Sequence, residues 1–409
     1  SQQDADTWLR LWDLASKYWL PSMMEWVHNP AKPVHEMDAM DRLCFMTPEA
    51  GIDPHWVVMT TAQIFSAIFE HPKIQLYGHR CCQSWGFSAD DQAMGLSALL
   101  SLLAWVPYGC YVVGGTHSLS HAAFRIIAEN GGEAKTSCKV DKILLEGNKA
   151  TGIQLADGTQ IGAKHVVTNV DPFQLIFNLI GADKVNEVIP RKLNALSKDW
   201  TTIMWYSWAL TERPKFTCED TVPDAGYCMA LGFGGEASTG DVNTFTKESA
   251  ERRAKIWPKS LNGLYMYQGH QPGSNLDFDQ CMGPPDSPEE NFRLQTEQFV
   301  LPAYTRSDEE WKAIERKHAD DMINEISKYA PNVRWDIVNG YVPVTPHFTS
   351  GFARNYGAAG NQHVIENFPS QAGKFRPIPE LAGHRVPGIE GVYCTGTAWH
   401  CHGFAHCAQ

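Results

Sequence analysis

No apolar run in this 409-residue sequence is long enough to cross a bilayer. The longest, Ala93 to Tyr108, is interrupted by Ser97 and Ser101 and closes on Pro107. A spanning helix needs roughly 20 consecutive apolar residues, so this stretch fits a buried or surface-docking helix. Positive charge is also in deficit: 34 Lys and Arg stand against 46 Asp and Glu, a net charge of −12. That balance argues against nucleic acid and against strong attraction to an anionic membrane surface. The 11 cysteines are odd in number and lack regular spacing, unlike a secreted disulfide framework. The start, S-Q-Q-D-A-D, is polar and acidic and does not resemble an export leader. A reducing cytoplasm is the expected compartment. Internal repeats and low-complexity segments are absent, and so is a G-x-G-x-x-G loop after an N-terminal strand.

What is present supports a large core divided between two domains. Apolar residues recur at helical spacing from Asp4 to Met24, with Pro21 expected to stop the pattern. Val57 to Glu70 predicts a second helix, ended by His71-Pro72, and Gly86 to Trp105 a third, with Ser88 as N-cap. This aromatic-rich helical layer is either plain core or a lid that holds an apolar ligand. A helix over Ser118 to Asn130 precedes the clearest strand pattern. Lys139 to Leu145, a Gly147-Asn148 turn, Ala150 to Leu155 and an Asp157-Gly158 turn predict consecutive hairpins. A short strand at Gln160-Ile161, a buried strand from Lys164 to Val170, and a helix from Phe173 to Ile180 follow. Further strands are expected over Trp200 to Leu210, Tyr227 to Phe233, Leu261 to Gln268 and Val333 to Tyr341, with an amphipathic helix over Glu309 to Tyr329.

The stretch Gly391 to Cys407 carries the densest chemistry. A short strand (Val392 to Thr395) meets a glycine turn at Gly396, then a His- and Cys-rich turn, with Gly403 and Ala405 able to open a helix. Such a turn presents backbone N–H groups and a positive helix end to a phosphate or an electron-rich ring. His400, Cys401, His402, His406 and Cys407 raise a metal reading, but C-H-x-x-x-H-C is not a zinc spacing, and no metal site is assigned. Ligand contact and hydrogen-bonded structural roles both remain open for them. If an acid or base is needed, His400 or His402 titrates in the right range. Cys81-Cys82 beside Arg80 fits either a redox pair or buried packing, and Trp205, Tyr206 and Trp208 fit either core or an aromatic box.

The stretches P-Y-G-C-Y-V-V-G-G-T-H-S-L-S, V-D-K-I, G-I-Q-L-A-D-G and K-H-V-V-T-N-V-D-P resemble the phytoene desaturase-like flavoproteins of the FAD-dependent amine oxidase and carotenoid desaturase/isomerase group. The ending, with T-P-H-F, Y-G-A-A-G, R-P-I-P and V-P-G-I-E-G-V-Y-C-T-G-T, is similar to the same family's. The resemblance implies an α/β fold, part of a Rossmann-like FAD domain with a β-meander, intertwined with a mixed α/β substrate domain. Residues 1–106 would form the helical part of the substrate domain and 107–181 part of the FAD domain. Residues 182–341 would complete the substrate domain, and 342–409 would return to the FAD domain.

Carried over by position, the resemblance puts Val140 at the adenine end of FAD and Asn169 and Asp171 at a strand end beside the cofactor. It puts Gly396 and Thr397 along the ribityl–pyrophosphate chain, Gly403 and Phe404 at the helix end facing the flavin, and Gly114-Gly115 at the domain crossing. Trp205, Tyr206 and Trp399 become substrate contacts, and His400 and His402 catalytic candidates. The expected activity is FAD-dependent hydride removal from a C–H bond of a fairly apolar substrate. A redox-neutral flavin-dependent isomerase and a non-catalytic subunit or scaffolding partner are the alternatives. The missing G-x-G-x-x-G loop makes the chain read as the body of a longer protein. It leaves room for a homo-oligomer or a partner chain that supplies the dinucleotide-binding unit, and for peripheral membrane contact. W-H-C-H stands where the family has Pro and Gly, so unusual chemistry is expected at that turn.

Overall fold

The computed structural model describes residues 1–84, 86–105, 117–200, 202–223, 225, 230–259, 261, 264–268, 292–352 and 359–400. The chain forms two units. The first comprises Ser1–Pro107, Ser137–Thr202 and Phe348–Gln409, and the second Tyr108–Thr136 and Ile203–His347.

In the first unit, helix α1 (Gln2–Leu14) is capped by the Ser1 side chain and runs through a wider π turn, Ala15–Trp19, into α2 (Leu20–His28). The stop expected at Pro21 does not occur. Pro21 falls in the first turn of α2, where a residue without an N–H costs little. Leu11, Ala15 and Trp19, four residues apart, form one fully buried stripe. The Trp19 indole donates to the Ala50 carbonyl (2.8 Å). Buried Asp4 accepts from the N–H groups of Glu70 (2.8 Å) and His71 (3.1 Å), so α1 also fastens the loop after α4 (Thr61–Ile68). A short α3 (Ala39–Phe45) begins at a capping box of Asp38 and Asp41.

The His71-Pro72 break ends α4 as expected, but Pro72 also opens a helix that the sequence pattern does not announce, α5 (Pro72–Ser84). Gly78 lets α5 lie against α4: a Cβ there would sit 2.1 Å from the Phe65 ring. The expected helix from Gly86 shrinks to α6 (Gly95–Leu100) with a π turn over Ser101–Trp105. The Asp91 carboxylate accepts the Ser88 N–H (2.6 Å) and holds the preceding segment as a turn.

The hairpins form as expected. Strands β1 (Val140–Glu146), β2 (Lys149–Leu155) and β3 (Gln160–Gly162) make an antiparallel meander. Its turns pass through Gly147 (φ 59°) and Gly158 (φ 89°), conformations in which glycine carries no Cβ penalty. Strand β4 (Val166–Thr168) pairs in parallel with β10 (Val392–Cys394), which follows it by more than two hundred residues. A π-helical segment over Gln174–Ile180 and helix α8 (Val188–Asn194) pack with β10 in the core of this unit.

In the second unit, α7 (His117–Glu129) precedes a five-stranded antiparallel sheet in the order β6 (Ala230–Phe233), β7 (Leu264–Gln268), β8 (Phe292–Phe299), β5 (Ile203–Leu210), β9 (Val338–Val344). Strand β9 starts later than expected because Trp335–Ile337 is a 3-10 turn. Helix α9 (Thr244–Arg253) lies between β6 and β7 in the chain, and α10 (Asp308–Ile326) opens on a Ser307/Glu310 capping box. Trp311, Met322 and Ile326 of α10 meet Tyr206 and Trp208 of β5 in one core. Among the described residues no helix is long and apolar enough to cross a membrane.

Trp208 anchors that core. It stacks on Tyr341 (5.3 Å between ring centroids) and donates to Thr296 Oγ1 (2.9 Å). Trp208→Ala should cost about 3–5 kcal/mol through the lost transfer energy and the cavity left behind. Denaturant unfolding of the purified protein checks this, and a loss below about 1 kcal/mol contradicts it.

Candidate functional site: a strand-end turn beside an apolar cavity

The parallel register Val166↔Val392, Val167↔Tyr393, Thr168↔Cys394 brings β4 and β10 to the same level at their carboxyl ends. The Thr395 N–H donates to the Thr168 carbonyl (2.9 Å), which extends the ladder by one bond. Asn169 and Gly396 therefore leave adjacent strand ends, the position at which open α/β sheets bind ligands. Gly396 has φ 105°, and a Cβ there would lie 3.2 Å from the Asn169 carbonyl oxygen. The turn closes with the Trp399 N–H donating to the Gly396 carbonyl (3.1 Å). The buried Trp399 indole donates across to the Val170 carbonyl (3.3 Å).

The sequence-predicted residues divide in their roles here. Asn169 is exposed at the strand end, and Thr397 is half-buried in the turn. Asp171 is buried and spends its carboxylate on capping its own helix. It accepts from the N–H groups of Phe173 (2.8 Å) and Gln174 (2.9 Å) and from the Gln174 side chain. Burial pushes its pKa up, against the opposing pull of those donors. Val140 sits at the start of β1, opposite Leu155. Gly114, Gly115, Cys401, His402, Gly403, Phe404, His406 and Cys407 lie outside the described residues.

Arg376 is the residue that sequence reasoning missed, although it stands in the R-P-I-P stretch. It is 0% exposed. Its guanidinium donates to the carbonyls of Thr397 (3.0 Å), His363 (2.8 Å), Gln371 (3.0 Å) and Glu366 (3.3 Å). It thus clips the 363–376 loop to the Gly396 turn.

His400 follows in the same turn and is 2% exposed. Its Nε2 lies 3.2 Å from the Asn29 carbonyl, and its ring meets Trp26 and His384 edge-on. Burial lowers its pKa, and the neighbouring backbone of Gly373, Asn29 and Trp26 only partly offsets this.

Beside the turn lies a cavity of about 320 Å³. Its walls come from α2 (Met23, Trp26, Val27), α3 (Asp41, Cys44), α6 (Leu96, Leu100) and the 372–376 loop. Trp26 both lines the cavity and meets His400. Arg376 both lines it and holds Thr397. The helical layer is therefore more than plain core, since it encloses space as well as packing.

Other expected residues go elsewhere. Tyr206 is 0% exposed in the core of the second unit, with its hydroxyl donating to the Glu315 carbonyl (2.7 Å). Strand alternation turns the half-buried Trp205 to the opposite face. Cys81 and Cys82 are buried on α5; burial pushes the Cys81 thiol up to about 11 and raises the Cys82 thiol well above its ordinary value. Neither is a thiolate at neutral pH, so they make a poor redox pair.

No family model matches the chain. Over 353 residues it is 22% identical to a limonene dehydrogenase subunit of Castellaniella defragrans, covering 79% of this chain and 61% of that protein. Over 295 residues it is 24% identical to a lycopene-forming phytoene desaturase of Paracoccus sp., covering 71% of this chain and 51% of the relative. The chain thus spans between 51% and 61% of the length of these relatives. Among solved structures, a putrescine oxidase triple mutant made in a redesign of cofactor binding superposes with a TM-score of 0.51 at 11% identity, over 99% of this chain and 71% of that one. That likeness establishes the α/β fold expected from the sequence. The relatives bear out the resemblance to phytoene desaturase-like flavoproteins.

Two outcomes follow from the geometry. Gly396→Val should destabilise the protein by about 1–3 kcal/mol, because a β-branched residue at positive φ is strained. A thermal melt unchanged from wild type would contradict the strand-end turn. Burial lowers the pKa of His79 and His318 to about 4 and of His363 to about 3, and lowers that of His400. Below an unfolded-state value of 6.5 the unfolded chain binds protons that the fold refuses. Stability should therefore be fully present above that pH and fall as pH drops from about 6.5 toward 4. Melting temperatures measured across this window check the sign.

Proposed function

We propose that this chain is the body of an FAD-dependent oxidoreductase of the desaturase or dehydrogenase type, which takes hydride from a C–H bond of a fairly apolar substrate. The carrying observation is the Gly396 turn at paired parallel strand ends, next to an apolar cavity that shares Trp26 and Arg376 with it. The residues suit an extended phosphate-bearing ligand: without a Cβ, Gly396 passes close to the Asn169 backbone, and Asn169 stands exposed beside it. Bound there, FAD would supply the hydride acceptor, which is chemistry that the protein's side chains do not have.

The chain's own residues would do the rest. Gly396, Thr397 and Asn169 would hold the cofactor, with Val140 toward its adenine end. Arg376 fixes the Thr397 carbonyl and with it the course of the turn. The cavity walls would orient the substrate and exclude water. Desaturation removes a hydride and a proton from adjacent carbons, so a proton acceptor is needed, and His400 and His402 are the candidates. Burial favours neutral His400, the form a base requires. In the tautomer whose Nε2–H donates to the Asn29 carbonyl, Nδ1 is the accepting nitrogen. A role as one component of a larger assembly is the second reading, favoured by the limonene dehydrogenase relative, which is itself named as a subunit.

The test is the visible spectrum of the purified full gene product, with mass analysis of any released cofactor. A yellow protein that releases FAD is expected. A colourless protein that takes up no FAD on reconstitution overturns the proposal.

A further inference from the structure

The two-stranded parallel sheet of the first unit is open along one side. Strand β10 is bonded along both of its edges. On one it pairs with β4. On the other, the Cys394 N–H donates to the His384 carbonyl (2.9 Å), and Tyr393 forms an antiparallel bridge with Arg385. Strand β4 is paired along one edge alone among the described residues. The Val166 N–H donates to the Gly391 carbonyl (2.8 Å), and the Thr168 carbonyl accepts from Thr395 (2.9 Å). Alternate residues of a ladder face the same partner strand, so the Val167 N–H and C=O point away from β10.

The two faces of the sheet are unequal in the same way. Val166, Val392 and Cys394 pack into the core of the unit. Val167 and its register partner Tyr393 point to the opposite face. Tyr393 is half-buried, with the His165 ring against it at 5.7 Å. Val167 is 69% exposed, the highest value for a large apolar side chain among the described residues. A lone exposed valine needs no explanation. On a parallel strand it does, because such sheets have both faces covered by the helices that connect their strands.

One kind of neighbour closes both openings. A strand along the outer edge of β4 would pair with the Val167 N–H and C=O. An antiparallel strand from a tight hairpin would close the edge and leave the face bare. A parallel strand must return through a crossover of a dozen or more residues, usually a helix. Since the core already fills one face, that helix lies over Val167 and Tyr393. The relatives supply room for such a unit, since this chain spans between 51% and 61% of their length.

We propose that the outer edge of β4 receives a parallel strand from a βα unit of the same gene product, outside these 409 residues, and that the helix of this unit covers Val167 and Tyr393. The assignment concerns an interaction surface and goes beyond the oxidoreductase reading. Running parallel to β4, the added strand ends level with Asn169 and Gly396, so the turn that follows it becomes a further wall of that site.

The experiment is residue-resolved hydrogen exchange on the purified full gene product. The Val166 amide, held by Gly391, is the internal reference. The Val167 amide should exchange at least about a thousandfold more slowly than an unstructured amide. Exchange within about tenfold of the unstructured rate, beside a protected Val166, overturns the assignment. Val167→Asp is the second arm. Beneath a helix it should lower the melting temperature by at least about 5 °C. A change below about 1 °C, as expected of a surface substitution, overturns the covered face. Exchange is followed at two protein concentrations about a hundredfold apart. Protection that holds at both comes from the same polypeptide; protection that fades on dilution comes from a second molecule and overturns the same-chain source. Flavin content plays no part in these readouts, so a yellow protein with an unprotected Val167 sinks this assignment alone.

Discussion

The first unit depends on one buried guanidinium. Arg376 meets four carbonyl oxygens from two stretches of chain, and a cation so deeply buried is tolerable only because its donors are met. Those carbonyls have no ladder to pair with, because the segment from His363 to Arg376 consists of short 3-10 turns and irregular backbone. The charge gives them a common partner. The Gly396 turn and the floor of the cavity therefore take their positions from the same side chain. Replacing it with an apolar residue would remove a donor from the Gln371 and Thr397 carbonyls and the tie between the 363–376 loop and the Gly396 turn.

Local rules made several elements of the fold legible. The meander was announced by alternating strands and by turns at Gly147 and Gly158. The amphipathic spacing from Glu309 announced the long helix that packs on the second sheet, although its Ser307/Glu310 capping box shows only in the structure. Proline was the main source of error, because the same residue both ends and begins helices. Pro72 was legible as the end of α4 but not as the beginning of α5, and Pro21 as a stop although it sits in the first turn of α2. Which of these applies depends on where the preceding carbonyls find partners, which a linear pattern does not contain.

The candidate site was legible in part for the same reason. Gly396 could be singled out because a strand followed by glycine is a local signature. Asp171 could be placed at a strand end, but its commitment to Phe173 and Gln174 as a helix cap shows only once the backbone is traced. Tyr206 looked like a ligand contact because aromatic strands serve both cores and binding boxes, and only its packing against α10 decides between them. Arg376 and Trp26 were invisible as site residues: the first acts through carbonyls of residues 363–371 and 397, the second through its contact with a residue nearly four hundred positions away.

Trp26 and Arg376 belong to the cavity wall and also touch the turn. On the proposed reading, in which the turn holds the cofactor, anything in the cavity that shifts either side chain changes the affinity of the turn for it. Linkage makes the effect equal in reverse: whatever factor one occupant adds to the binding of the other, it receives back. The order of filling is then irrelevant to the final equilibrium. The coupling between the two occupants becomes a property of two side chains, and it is open to measurement by titrating one in the presence and absence of the other.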